Sequence, residues 1–161
     1  MLVDNIIDTV RAGIASSVAA YTDAGESPTQ SAYFEATDSS DLEAGGMERV
    51  YSVILMGGGD RNLTGVPGRV DAFIRFQVRM RFFNESRPDG EALAYYGSDM
   101  RQIADRVPQI VMTTAYGVTG AGVGSCVLDG DWTLDRDPDE PAIWYGIATF
   151  LVEYYDVVVT S

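Results

Sequence analysis

Two kinds of side chain are absent from this sequence of 161 residues, and each absence excludes a kind of chemistry. Without His there is no imidazole to act as a general base, to activate a Ser or Cys nucleophile, or to bind a metal ion. Without Lys there is neither the phosphate-binding lysine of a P-loop nor a Schiff base. We therefore expect no enzyme, no catalytic residue, no metal and no cofactor, and we look to structure and assembly for the function.

Cysteine and long apolar runs are also scarce. The single Cys126 excludes an internal disulfide framework and a CxxC redox or metal site. No stretch approaches the roughly 18 consecutive apolar residues of a transmembrane helix. The first residues lack the basic region and the uninterrupted apolar stretch of a secretory signal. The sequence predicts a protein made in the cytoplasm with no membrane partner.

Basic residues are far fewer than acidic ones. The 11 basic residues stand against 24 acidic ones, which gives a net charge of −13 and an isoelectric point near 4.1. Such a balance opposes binding to the phosphates of nucleic acid, so no sequence-specific nucleic-acid partner is expected. Basic residues that are all Arg, together with an excess of Asp over Glu, fit either a GC-rich genome or a halophilic source.

The length corresponds to one domain, residues 1–161, with enough chain to bury a core. Apolar residues at helical spacing predict one helix over residues 2–20 and another over residues 91–112. Pro88-Asp89-Gly90 supplies a start signal for the second helix, and Pro108 should bend or end it.

A long hairpin is the clearest β element. Apolar and polar residues alternate over residues 69–83, which predicts a strand about 50 Å long. A β-like run over residues 48–56 precedes this strand, and Gly-rich residues 57–68 connect the two. Together these segments predict a hairpin that projects beyond the core.

Shorter segments complete the predicted sheet. One short strand is expected at residues 32–37, and two closing strands at residues 125–134 and 142–159 flank an acidic turn at residues 135–141. Both faces of the last strand are apolar, which predicts either a central place in the sheet or a strand covered by a helix on one face and by a partner on the other. The predicted fold class is α+β, with a mostly antiparallel sheet, a long projecting β-hairpin and two main helices packed on it.

Glycines over residues 116–124 approach the dinucleotide-binding fingerprint in Gly120-Ala-Gly122-Val-Gly124. That fingerprint needs a strand before it and a helix after it, so that a phosphate meets the helix N-terminus. Here the predicted helix comes first and a strand follows, so a flexible connection is the favoured interpretation.

Carboxylates cluster around the acidic turn. Ca²⁺ binds several oxygens, but Gly146 stands where an EF-hand counted from Asp135 requires its Glu. A solvated hairpin turn is therefore favoured over a metal site, and a glycosidase-type carboxylate pair has less support still. The cluster consists of Asp129, Asp131, Asp135, Asp137, Asp139 and Glu140.

Arg75, Arg79 and Arg81 share one face of the long predicted strand. Like charges so close together repel unless something negative lies opposite. One interpretation is a solvated face whose arginines meet Glu48 or other carboxylates of the same chain. The other is a subunit interface, in which the arginines bind carboxylates of a neighbouring copy.

The tip of the hairpin is the second candidate contact. We predict that the connection of residues 57–68 is mobile in the free protein and becomes ordered on assembly, because its glycines raise the entropy of the free loop. The predicted partner-contacting residues are Gly57, Gly58, Gly59, Asp60, Arg61 and Asn62.

The order of these elements resembles the tail terminator (tail completion) proteins of long-tailed bacteriophages and related archaeal viruses. The resemblance covers nearly the whole chain and is architectural, without a diagnostic residue motif. It rests on the amphipathic helix of residues 2–20, the Pro- and Asp-containing loop after it, the hairpin of residues 48–83, the helix of residues 91–112, and the final strand ending in Phe150-Leu-Val-Glu-Tyr-Tyr-Asp156.

That resemblance implies a small α+β protomer that forms a homo-oligomeric ring, a hexamer in that family, on the last ring of the tail tube. Such a ring stops tube growth and joins tail to head. The implied partners are other copies of the chain, the tail-tube protein and a head-completion or connector protein, and the implied location is the virion neck. DNA would pass through the ring without sequence-specific contact.

Three alternatives to a tail terminator stay open. The chain could instead be a head-completion or connector protein that binds the portal side. It could also be a carboxylate-based enzyme with a cleft around residues 129–140, or a small ligand-binding module.

Overall fold

The computed structural model describes residues 2–18, 33–36, 47–60, 69–85 and 87–157. Within these ranges, two helices and a mostly antiparallel sheet confirm the predicted α+β class. In chain order the elements are α1 (Leu2–Ser17), β1 (Tyr33–Glu35), β2 (Arg49–Asp60), β3 (Arg69–Phe83), α2 (Asp89–Thr113), β4 (Gly122–Leu128), β5 (Thr133–Arg136) and β6 (Ile143–Val157).

The sheet has the strand order β1-β2-β3-β6-β4, and β5 also pairs with β6. β1 runs parallel to β2, and every other pairing is antiparallel. β6 pairs with β3 from Arg69, opposite Val157, to Phe83, opposite Ile143. β6 is therefore central, as predicted, and it accompanies the long hairpin β2–β3 over the whole length of β3.

Both helices pack on one face of this sheet. Their buried residues recur about every four positions, and those of the strands recur every two positions. Leu2, Ile6, Val10 and Ile14 of α1 are fully buried at the spacing that predicted the helix. Phe76 of β3 stacks on Phe150 of β6, with ring centroids 5.3 Å apart. The residues of β3 on this face are all at most 4% exposed: Ala72, Ile74, Phe76, Val78, Met80 and Phe82.

The second helix is longer than expected. It runs from Asp89 through Pro108 to Thr113, close to the predicted residues 91–112, so Pro108 does not end it. Proline removes one backbone hydrogen bond, but Val107 and Val111 on either side are fully buried in the core, and this packing holds the last turns in place. Leu93, in the first turns of the helix, is 53% exposed.

The predicted strand of residues 125–134 is two strands. Gly130 has a φ of 82°, a left-handed conformation that suits glycine, and it separates β4 from β5. β4 also begins at Gly122, inside the segment expected to be a flexible connection. Among the described residues, neither helix is long and apolar enough to cross a membrane.

Candidate functional site

The face of the sheet opposite the helices, which we call the open face, is the candidate functional surface. Gln77 donates a hydrogen bond to Thr149 across it, at 3.2 Å. Among the described residues no helix covers this face, because both helices belong to the core on the other side. Four large apolar side chains on it are between 36% and 51% exposed: Met56, Val127, Tyr145 and Ile147.

The three predicted interface arginines all lie on the open face, but each has a different environment. Arg75 is exposed and pairs with Asp129 at 2.9 Å, so at this position a carboxylate of the same chain lies opposite, as the solvated interpretation required. Arg79 is half-buried; its Nε donates to Gln77 at 3.0 Å and its Nη2 lies 4.0 Å from the Met56 sulfur.

Arg81 lies in a covered part of this face, where Val50 and Ser52 are also buried. It is 7% exposed, and its Nε and Nη2 atoms have no hydrogen-bond partner among the residues that the structure describes. The Oγ of Ser52, on the neighbouring strand, is also buried without a partner in the described part of the chain. Ser52 lies directly opposite Arg79 in the ladder and diagonal to Arg81, so these polar groups are neighbours.

The prediction that the partner-contacting residues lie in a loop is wrong for four of the six. Residues Gly57, Gly58, Gly59 and Asp60 are not in a loop; they continue β2 and pair with β3 residues 72–75 after a bulge at Met56. A ladder of backbone hydrogen bonds overrides the low strand propensity of glycine here, because the sheet needs only backbone groups. Arg61 and Asn62 lie outside the described residues.

Glycine is required at one of these positions. A Cβ on Gly58 would lie 2.6 Å from the carbonyl oxygen of Phe73, which is closer than any side chain allows. The glycine run therefore permits close pairing of β2 with β3, a role that the predicted loop did not include.

A second polar site, which the sequence analysis missed, is a buried charge network between β2 and α2. Arg49 is fully buried and donates to Asp99, also fully buried, at 2.6 Å. Glu48 accepts from Arg87 at 2.8 Å, from Tyr96 at 3.0 Å and from Arg49 at 3.3 Å. The signal that could have revealed it is Asp99, a charge in line with buried Tyr95 and Ile103 on one helix face.

Electrostatics in this network favour the charged pairs. Burial alone would lower the pKa of Arg49, but Asp99 and Glu48 outweigh burial and hold that pKa above its ordinary value. Burial and the charge of Glu48 raise the pKa of Tyr96, so its hydroxyl remains a donor. The network joins the start of β2 to the first turns of α2.

The carboxylates of the predicted cluster do not come together at one site. Asp129 pairs with Arg75, while Asp137 accepts the backbone N–H groups of Asp139 and Glu140 at 2.9 and 3.1 Å. These hydrogen bonds hold the pKa of Asp137 below its usual range. The described residues contain no group of three metal-binding side chains. Residues 137–142 connect the antiparallel strands β5 and β6, so they form the turn of a hairpin.

One cleft bears on the enzyme and ligand-binding alternatives. It has a volume of about 320 Å³, the lower end of the range for ligand sites. Of the predicted cluster only Glu140 reaches it, so the cleft is not built around residues 129–140. Its walls are formed by Asn84, Glu85, Arg87, Ala92, Tyr96, Glu140, Pro141, Ala142 and Trp144.

A scan against protein-family models finds no matching family, and a search of curated proteins finds no match. The residues themselves therefore carry the functional argument. The open face combines exposed apolar groups with the exposed Arg75 and the half-buried Arg79, an arrangement typical of a protein contact surface.

Proposed function

We propose that this chain is a structural virion protein of the head–tail neck, which forms a ring that caps the tail tube, stops its growth and joins tail to head. The observation that carries the proposal is the open face. A sheet with one face covered by both helices and the other carrying exposed Met56, Val127, Tyr145 and Ile147 has apolar surface left for a protein neighbour.

The edges of the sheet support a ring. β1 pairs with β2 only as far as Tyr51, so among the described residues the outer edge of β2 from Ser52 onward has no strand partner. The outer edge of β4, on the opposite side, has none either within the described part of the chain. Contacts between two different surfaces of identical copies run head to tail, and they close into a ring when the rotation allows.

The specific role rests on the architectural resemblance. The described order of α1, the hairpin β2–β3, α2 and the closing strands β4–β6 is the order on which that resemblance depends. A ring of chains that each carry a charge of −13 would repel the phosphates of DNA in its channel, which suits passage without binding. The proposed partners are the tail-tube protein on one side and a head-completion or connector protein on the other.

The test is assembly. Light scattering coupled to size-exclusion chromatography should give the mass of a closed ring, six copies in the family resemblance, and negative-stain images should show rings. Added to polymerising tail-tube protein from the same virus, the ring should shorten the tubes. A monomer at all concentrations contradicts the proposal, and a ring that binds the portal side but leaves tube length unchanged assigns the connector role instead.

A further inference from the structure

Two strands of the sheet, β2 and β4, have an outer edge that carries exposed apolar side chains. Leu55 and Met56 of β2 are 48% and 49% exposed, and Val127 of β4 is 51% exposed. Among the described residues, neither β2 beyond Tyr51 nor the outer edge of β4 has a strand partner, and no backbone hydrogen bond from another segment reaches these edges. A strand edge of this kind pairs readily with a strand of another chain.

The two edges run in opposite directions. The strands β2, β3, β6 and β4 lie side by side, and each is antiparallel to the next. β4 therefore runs opposite to β2. When a second copy is placed beside the first by rotation about an axis along the strands, its β4 comes to lie antiparallel to β2 of the first copy, which is the more stable kind of ladder.

The outward backbone groups of β2 follow from its hydrogen bonds. The N–H of Ala36, which follows β1, donates to the carbonyl oxygen of Tyr51 at 2.8 Å, so that carbonyl points away from β3. Alternate residues of a strand point the same way, so the backbone groups of Leu55 also point outward. The bulge at Met56 inserts one residue and shifts the alternation, so the next outward residue is Gly58.

The outward backbone groups of β4 follow in the same way. The N–H of Asp129 donates to Thr149 of β6 at 2.8 Å, so Asp129 points inward and the outward groups include those of Cys126. A bulge at Gly124 shifts the alternation here too, so the next outward residue is Val123. On both strands, the outward residues on the two sides of the bulge are therefore three positions apart instead of two.

We propose that β2 of one copy pairs antiparallel with β4 of the next, with Leu55 opposite Cys126 and Gly58 opposite Val123, an inference that rests on the proposed ring. In this register the two bulges lie together, and the outward groups match on both sides of them. Only the backbone of Cys126 takes part, since its side chain lies in the core. These paired edges, which we call the seam, join the sheets of successive copies into one continuous sheet.

The faces of the two sheets agree with this register. Leu55 lies opposite Phe76, and Cys126 lies opposite Val152. Phe76 and Val152 both belong to the core under the helices. Residues paired in a ladder point to the same face, so the helices of neighbouring copies lie on the same side of the continuous sheet. The opposite phase would turn every second copy over, which rotation about a single axis cannot do.

Side chains and neighbouring strands also fit the seam. Ile54 comes opposite Val127 on the open face, so the contact covers apolar surface that is exposed in a single copy. β4 ends at Leu128, which comes opposite Val53. The last residue of β2 that pairs with β1 is Tyr51, so β1 does not block the added strand.

The first experiment cross-links the seam. In the double variant Ile54→Cys, Val127→Cys, thiols of neighbouring copies lie opposite each other, with Cβ atoms about 4.5–5.5 Å apart, close to the distance of a disulfide. Within one chain β3 and β6 separate the two positions by three strand spacings, roughly 14 Å, so they form no internal disulfide. Oxidation of the full chain should therefore give covalent oligomers up to the whole ring on a denaturing, non-reducing gel.

Ile54→Cys, Thr133→Cys is the matched control, because Thr133 of β5 lies at the same side of β6 and on the open face but outside the register. It should remain monomeric on the gel, and so should each single variant. Dimers from Ile54→Cys alone would assign a β2–β2 contact, and dimers from Val127→Cys alone a β4–β4 contact. Either result, or cross-linking through Thr133 in place of Val127, would overturn the proposed seam.

The second experiment measures the strength of the seam. Val127→Lys places a charge where the neighbouring strand packs, and it should raise the dissociation constant between copies by about 10-fold or more. Leu93→Lys is the control, since Leu93 is 53% exposed on α2, and it should change that constant by less than about threefold. A mass-photometry dilution series gives the constants. Equal weakening by both variants, or none by Val127→Lys, would overturn the proposed seam.

The failures are distinguishable. A wild-type ring that does not cross-link through Ile54→Cys, Val127→Cys and that Val127→Lys leaves intact refutes the pairing of β2 with β4, and it leaves the neck function standing. A wild-type protein that never leaves the monomer refutes both.

Discussion

Two buried arginines of this chain differ in what surrounds them. Arg49 is fully buried between β2 and α2, with Asp99 at 2.6 Å and Glu48 at 3.3 Å. Arg81 is nearly as buried on the open face, yet two of its nitrogens are unpaired among the described residues. Burial does not separate the two arginines, but pairing does. Removing a partner of Arg49 would leave a buried charge without its carboxylate, whereas Arg81 has no described hydrogen bond to lose.

The largest loss of stability should come from breaking the buried pair of Arg49 and Asp99. Asp99→Ala leaves Arg49 buried without its nearest carboxylate, and we expect the free energy of unfolding to fall by about 3–5 kcal/mol. Urea denaturation measures this loss. The double variant Arg49→Met, Asp99→Leu should recover most of it, because apolar residues replace both charges. If Asp99→Ala were as stable as the wild type, the pair would not contribute to the stability of the fold.

A smaller effect isolates one hydrogen bond of the same network. Tyr96→Phe removes the hydroxyl that donates to Glu48 at 3.0 Å but keeps the ring stacked on Phe82. A hydrogen bond to a charged group contributes about 2 kcal/mol, and we expect that loss in urea denaturation. Tyr154→Phe is the control, because its hydroxyl has no hydrogen bond among the described residues and should cost under about 0.5 kcal/mol. Equal losses in the two variants would contradict the role of Tyr96.

The thiol in the core gives a pH dependence that neither arginine provides. Burial raises the pKa of Cys126 from 9.0 to about 12, so the folded state holds the proton more tightly than the unfolded state. That stabilisation is complete below pH 9 and is lost as the pH rises towards 12. Between pH 8 and 10 the wild type should lose about 1 kcal/mol more stability than Cys126→Ala. Parallel pH profiles of the two proteins would contradict this assignment.

The smallest effect belongs to the exposed pair on the open face. Arg75→Ala or Asp129→Ala should change the free energy of unfolding by less than about 1 kcal/mol, because both side chains are more than 40% exposed to solvent. High salt should remove even that difference. A loss comparable with that of Asp99→Ala would mean that the contrast between buried and exposed pairs does not hold in this molecule.

The periodic elements were predictable from the sequence because one rule governs each of them. The bounds of β3 and the buried face of α1 follow from alternation and from four-residue spacing, since each places apolar residues against one core. The extension of β2 through Gly57–Asp60 could not be predicted in this way. Because glycine has no side chain, a glycine run shows no alternation of buried and exposed residues. The pairing of these residues also depends on residues 72–75 of β3, which come later in the chain.

Sites were harder to predict than elements. Alternation places Arg75, Arg79 and Arg81 on one strand face, but their different environments depend on residues distant along the chain, such as Asp129 beside Arg75 and Met56 beside Arg79. The buried charge network between β2 and α2 could not be predicted for the same reason. Asp99 and Arg49 are 50 residues apart, and no local spacing connects them.

The central place of β6 also constrains the order in which the chain can fold. β6 comes after every other strand in the chain, yet it joins β3 to β4 and β5 and completes the face on which both helices pack. Gln77 and Thr149, neighbours across this junction, are 72 residues apart. During synthesis β3 must therefore wait with one edge unpaired until β6 emerges, and contacts of such long range slow folding. A nascent chain stalled before residue 143 should thus be the form most prone to aggregate or to engage a chaperone.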